Sequence, residues 1–223
     1  TADTGLDVLT HATEAYVSNF ASDYTDGLCI QAIKIVFEYL ERSVHDGKND
    51  LEAREKMHNA STMAGMAFGN AFLGINHSLA HKIGGRWHVP HGRINAILMP
   101  HVIRYNGTQP EKPSLWPKYN VYRANERYAE LARILGLPAS TVEEGVESYA
   151  QACHDLAVRC GITMNFKDQG IEEKDFLTHE EEVAYLAYED QCSPCNPRLP
   201  LVKDMRAILK AAYYGEKFDP KRI

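Results

Sequence analysis

The chain lacks an apolar run approaching the ~18–20 residues a membrane span needs, and it has no basic stripe and no Gly-x-Gly-x-x-Gly turn. The first absence predicts no membrane partner. The second, with 24 Lys and Arg against 30 Asp and Glu for a net charge of −6, argues against a nucleic-acid partner. The third leaves the phosphates of a dinucleotide without their usual cradle at a helix start. Strictly alternating apolar segments are also missing, so no strand is predicted and the fold class expected is all-α. Cysteines are few and unpaired in pattern. Cys29, Cys153, Cys160, Cys192 and Cys195 are odd in number and irregular in spacing. They fit neither a disulfide framework nor a two-pair zinc site, and are expected to be reduced thiols in a cytoplasmic protein.

What is there is helical period. Residues 25–45 put Leu28, Ala32, Ile35, Val36, Tyr39 and Leu40 on one face, with Gly47 as a stop. Asp50 is a candidate N-cap for a helix with a stripe of mostly small residues, Met57, Ser61, Ala64 and Phe68. Ser140 with Glu143 resembles a capping box, ahead of an amphipathic face that Gly161 ends. Residues 123–135 and 202–213 read the same way. Residues 106–122, with Pro110, Pro113 and Pro117, are an irregular connection of a length usually reserved for function. Nothing marks an internal boundary, so residues 1–223 are expected to form a single helical domain. The first residue is Thr and a helical pattern starts at once, which suggests a piece of a longer protein.

The unusual feature is "NHSLAHKIGGRWHVPHG" at residues 76–92, which holds His77, His81, His88 and His91. His77 and His81 are spaced i,i+4, as are Asp7 and His11 on the first predicted helix. Such pairs share one helix face roughly 5–6 Å apart, close enough to bind one ion. Together with His91, which follows a Gly-Gly-containing turn, these pairs supply one carboxylate and up to four imidazoles, and spacing alone does not choose among them. A divalent ion held by one carboxylate and three neutral imidazoles keeps about one positive charge and free coordination positions, suited to Lewis-acid work on a substrate oxygen. A closed structural zinc site would include thiolates, and nitrogen and oxygen ligands suit iron or zinc alike. A metalloprotease reading fails, because Ser78 stands where His-Glu-x-x-His needs its Glu. His88 is expected to be a supporting or exposed residue.

The motifs "TGLDVLTHATEAYVS", "GMAFGNAFLGINHSLAHKIGG", "PHGRINAILMPHVIRYN" and "DQCSPCNPR" closely resemble the iron-dependent (group III) alcohol dehydrogenases. "SDYTDGL" and the stretch at residues 106–138 are similar to the alcohol dehydrogenase half of the bifunctional aldehyde-alcohol dehydrogenases. The resemblance spans essentially the whole chain. It implies the helical, metal-binding C-terminal domain of that fold, with a Rossmann-like NAD-binding domain and an aldehyde dehydrogenase domain lying outside this chain. It carries the metal ligands onto Asp7, His11, His77 and His91. It puts His81 beside the nicotinamide as a proton relay, Phe68 near the nicotinamide and substrate, and Cys192 near the substrate pocket. The implied ion is Fe2+, with zinc as the alternative, and the implied cofactor is NAD(H).

The implied reaction interconverts acetaldehyde and ethanol by hydride transfer, with the metal activating the oxygen and the chemistry in the cleft between two domains. The partners implied are a short-chain alcohol or aldehyde, NAD, the protein's own upstream domains, and further copies in an oligomer or filament. A zinc-dependent glycerol-type dehydrogenase and a filament-forming module without activity are the competing readings. Two local features depart from the family pattern. Asn76 precedes His77 where a Cys or apolar residue is usual, and Pro194 and Cys195 replace a Gly and a small residue. Neither removes a ligand. The Cys192-x-x-Cys195 pair lacks the second pair that a zinc reading needs.

Overall fold

Local sequence signals set where several helices begin and end. In the computed structural model, which describes residues 1–111 and 121–220, Ser22 starts one helix by exchanging backbone and side-chain bonds with Thr25, and Gly47 ends it. The Asp50 side chain accepts from the Ala53 N–H at 3.0 Å, as its position predicts. The chain runs through α1 (Ala2–Val17), α2 (Asp23–Asp46), α3 (Leu51–Ala71), α4 (Ile75–Trp87) and α5 (His91–Asn106). It continues through α6 (Ala124–Ile134), α7 (Val142–Arg159), α8 (Glu173–Tyr188), a short 3₁₀ turn (Ser193–Cys195) and α9 (Val202–Tyr214). Among the described residues there is no strand, and the all-α expectation holds. No helix among them is long and apolar enough to cross a membrane.

Two differences from the sequence reading have physical causes. The cap of α7 is Thr141, which accepts from the Glu144 N–H at 3.1 Å, while the Ser140 N–H donates to the Glu144 carboxylate at 2.7 Å. The cap therefore sits one residue after the expected Ser140–Glu143 pair. The periodic reading missed α8 because a charge interrupts its apolar stripe. Glu180 is buried among Phe176, Val183, Ala184 and Ala187, and it is neutralised by Arg206 at 2.7 Å and Lys210 at 3.0 Å from α9. In the irregular connection, Pro110 is described, whereas Pro113 and Pro117 lie outside the described residues.

The first three helices pack on one another, and α5 runs through the centre against α1, α4, α7 and α9. From Ile94 to Asn106 every residue of α5 is buried, the mark of a helix enclosed on all sides. Its one buried cation, Arg104, makes two bonds to Glu147 of α7 at 2.8 and 3.0 Å. Gly92 brings the start of α5 onto the first turn of α1, where an added Cβ would collide with the Asp3 carbonyl oxygen. Gly74 brings the start of α4 close to the last turn of α1 and to the end of the 3₁₀ turn, where a Cβ would lie 2.9 Å from Glu14 Oε1 and 2.6 Å from Asn196 Oδ1. These two close approaches set α1, α4 and α5 around one point. All five cysteines are buried free thiols.

Candidate metal centre

Around that point α1 contributes Asp7, His11 and Glu14, which share a face because they are four and then three residues apart. The start of α4 contributes His77, which is 1% exposed. The first residue of α5 is His91. His77 Nε2 and His91 Nε2 each lie 3.6 Å from Asp7 Oδ1, and His11 Nδ1 lies 3.8 Å from Asp7 Oδ2. Four ligands at metal–nitrogen or metal–oxygen lengths of ~2.1 Å in a tetrahedron are roughly 3.4 Å apart. The observed separations are close to that figure. Asp7, His11 and His77 offer one ligand atom each, all within 4.8 Å of one another. His91 joins this group through its contact with Asp7, its ring 5.3 Å from that of His77.

Two groups that sequence reasoning missed organise this cluster. Glu14 is 4% exposed, and its Oε2 lies 2.5 Å from His77 Nδ1. A carboxylate only accepts, so Nδ1 carries the proton and Nε2 is the atom that faces Asp7. A carboxylate behind a ligating imidazole is the usual means of orienting it. Asn95 follows His91 by one helical turn. Its Nδ2 donates to Asp7 Oδ1 at 2.6 Å and lies 3.1 Å from both His77 Nε2 and His91 Nε2. The signal for each was present: Glu14 continues the face of Asp7 and His11, and Asn95 stands at i+4 from His91.

The electrostatics fit a cation. Burial opposes ionisation of Asp7, but hydrogen bonding and attraction from the imidazoles hold its carboxyl down at about 2. Burial lowers His11 to about 4, and it lowers His91 as well. Burial acts against charge on His77 too, but bonds to Asp7 and Glu14 outweigh it and hold the ring up at about 9. In the absence of an ion, a proton on His77 is the positive charge between two carboxylates. With His77 neutral, as ion binding requires, three ligand atoms crowd one amide nitrogen that carries only two hydrogens. A donor set of one carboxylate and three imidazoles, with more acceptors than donors, fits a divalent ion.

The other predicted residues border this cluster. His81, one turn after His77, turns away from Asp7. Its Nδ1 lies 3.2 Å from Asp190 Oδ2, and its ring stacks on that of His91 with centroids 5.7 Å apart. Burial opposes ionisation of Asp190, but Lys82 at 2.8 Å, the Cys192 N–H and His81 hold its carboxyl below the usual range. Phe68 of α3 stacks on His11, with centroids 4.4 Å apart. Cys192 is buried beside Asp190 and His81, and burial pushes its thiol up to about 12. His88 is the exposed left-handed cap of α4 and takes no part.

Comparison with known proteins gives matches over nearly the whole chain. The family described as "Fe-containing alcohol dehydrogenase family, C-terminal" matches residues 1–213. The chain is 67% identical over 221 residues to an aldehyde-alcohol dehydrogenase of Streptococcus pneumoniae serotype 2 (strain D39), covering 99% of this chain and 25% of the relative. It is 43% identical over 217 residues to the bifunctional aldehyde-alcohol dehydrogenase of Escherichia coli (strain K12), covering 96% of this chain and 24% of the relative. The chain thus spans about a quarter of the length of these relatives. A solved 1,3-propanediol oxidoreductase superposes with a TM-score of 0.83 at 36% identity, over 96% of this chain and 51% of the other. The fold, the histidine-bearing segments and these likenesses together show that the chain belongs to the iron-containing alcohol dehydrogenase family and corresponds to its C-terminal part.

Proposed function

We propose that this chain is the metal-holding part of an NAD-dependent alcohol dehydrogenase that interconverts ethanol and acetaldehyde, or a similar short-chain pair. Asp7, His11, His77 and His91 hold the ion, and Fe2+ is the ion favoured by the family. The observation that carries this is the convergence of one carboxylate and three imidazoles from α1, α4 and α5, with Glu14 behind His77. When bound, a divalent ion supplies Lewis acidity to an alcohol or carbonyl oxygen.

The chain's own side chains do the rest. Glu14 keeps the His77 proton on Nδ1 and so keeps Nε2 turned inward. Phe68 covers one face of His11 and limits water there. His81 is a third exposed and hydrogen-bonded through Nδ1 to Asp190. Its Nε2 is left to take or return the proton of the substrate hydroxyl. Cys192 is not a nucleophile in this scheme, because its thiol stays protonated near neutral pH. The nicotinamide comes from a part of the protein that supplies the phosphate-binding turn lacking here.

The test is metal content by mass spectrometry on the anaerobically purified intact protein, wild type beside His77→Ala. About one iron per chain, lost in the variant together with alcohol oxidation, is the expected result. One zinc in place of iron would keep the centre and change the ion. No metal in the wild type would overturn the reading. His81→Ala should keep the ion, and loss of metal there with retention in His77→Ala would reverse the two assignments.

A further inference from the structure

Asn95 lies among the ligand atoms, and its amide must face the right way to serve them. An asparagine can present NH2 or oxygen in nearly the same shape, so something has to choose. We infer that Asn95 is a positioning residue of the metal centre and that Asn76 locks its amide in the working orientation. This rests on the metal-centre reading above.

The orientation follows from atoms that can only accept. Asp7 Oδ1, 2.6 Å from Asn95 Nδ2, is a carboxylate oxygen. On the far side, Asn76 Nδ2 lies 3.2 Å from the Asn95 backbone carbonyl and 2.8 Å from Asn95 Oδ1. The backbone carbonyl accepts only, so Asn76 presents its NH2 there, Asn95 answers with its oxygen, and the NH2 of Asn95 is directed at Asp7. Asn95 is fully buried and Asn76 is 1% exposed, so bulk water does not compete for either amide. Asn76 is itself held by its backbone N–H, which donates to Glu14 Oε1 at 2.7 Å. The path Glu14–Asn76–Asn95–Asp7 therefore leaves α1, crosses α4 and α5, and returns to α1. It ties together the three helices that carry the ligands.

Asn76 Oδ1 is buried without a hydrogen-bond partner. An apolar side chain would fill the same space without that penalty. The polar side chain is explained by what its NH2 does to Asn95. The residue that stood out in the sequence as a departure before His77 thus acquires a role.

The experiment loads the intact protein anaerobically with Fe2+, or with Co2+ as a spectroscopic probe. It follows release of the ion to a chelator in wild type, Asn95→Leu and Asn76→Ala. Loss of a residue that supports metal ligands typically weakens binding about 10- to 100-fold. Asn95→Leu is expected to fall in that range, Asn76→Ala to move the same way by less, and both to shift the visible cobalt bands. Melting of the metal-free proteins identifies a variant that has failed to fold. If Asn95→Leu fails, Asn76→Ala decides. Folded variants with wild-type release rates and unchanged cobalt bands would reduce both residues to core packing and overturn this inference alone. A wild type that holds no ion would overturn the metal centre, and this with it.

Discussion

Replacing Glu14 by glutamine keeps the side chain's shape and removes its charge. The carboxylate serves donors on both oxygens, and the His77 backbone N–H also lies 3.4 Å from Oε2. Oε1 accepts from the Asn76 N–H at 2.7 Å and Oε2 from His77 Nδ1 at 2.5 Å, with nothing but protein around it at 4% exposure. Glutamine has one oxygen and one NH2, so one of those donors loses its acceptor. If the NH2 faces Asn76, a buried backbone N–H is orphaned. If it faces His77, the ring must move its proton to Nε2 and point a hydrogen at the place where the ion binds. A buried hydrogen bond to a charged group contributes about 1.5–3 kcal/mol, and each 1.4 kcal/mol is about tenfold in affinity. The expected loss in metal affinity is therefore roughly 10- to 150-fold. Chelator competition on the intact protein, under anaerobic conditions, measures it directly. A folded Glu14→Gln protein with wild-type affinity would show that Glu14 does not orient His77, and would refute the tautomer argument.

His81→Ala should retain the ion and lower turnover by about 100-fold or more, as expected for loss of a proton-transferring group; steady-state kinetics with metal analysis on the same sample checks both. Below pH 9, binding of an ion must expel the His77 proton, so apparent metal affinity should rise about tenfold per pH unit between pH 7 and 8, read by chelator competition at the two values. In the metal-free protein two imidazoles pull in opposite directions. His77, raised to about 9, stabilises the fold fully below its unfolded value of 6.5, and that contribution is lost as pH rises through 9. His11, lowered to about 4, costs stability as pH falls from 6.5 through 4, by at most roughly 3 kcal/mol. Melting of the metal-free protein should therefore peak near pH 6.5 for these two groups, and a profile with no decline toward pH 4 would contradict the burial of His11. Gly92→Ala should place a methyl against the Asp3 carbonyl, destabilise the fold by about 1–3 kcal/mol and displace His91, lowering melting temperature and metal retention together.

Much of the fold was legible because its signals are local. Helical period, the Asp50 cap and the Gly47 and Gly161 stops depend on neighbours within one or two turns, and the structure keeps them. What failed depends on partners distant in the sequence. The face of α8 was hidden by Glu180, a buried charge that makes sense only beside Arg206 and Lys210 of α9. Asp190 opens the motif DQCSPCNPR, but its role was not legible, because its partners Lys82 and His81 are more than a hundred residues away.

The sequence by itself determined that Asp7 and His11 share a face, that His77 and His81 do, and that neither pair includes a thiol. It could not tell which member of the second pair turns inward, and the choice of His77 over His81 came from family resemblance. What the tertiary structure fixes is which of the two faces Asp7, and it does so by packing. Close approaches at Gly92 and Gly74 bring α5 and α4 onto α1, so His77 is buried between Glu14 and Asp7, while His81, one turn on, meets Asp190. Helical period fixes which residues share a face; only the contact between helices fixes what that face meets.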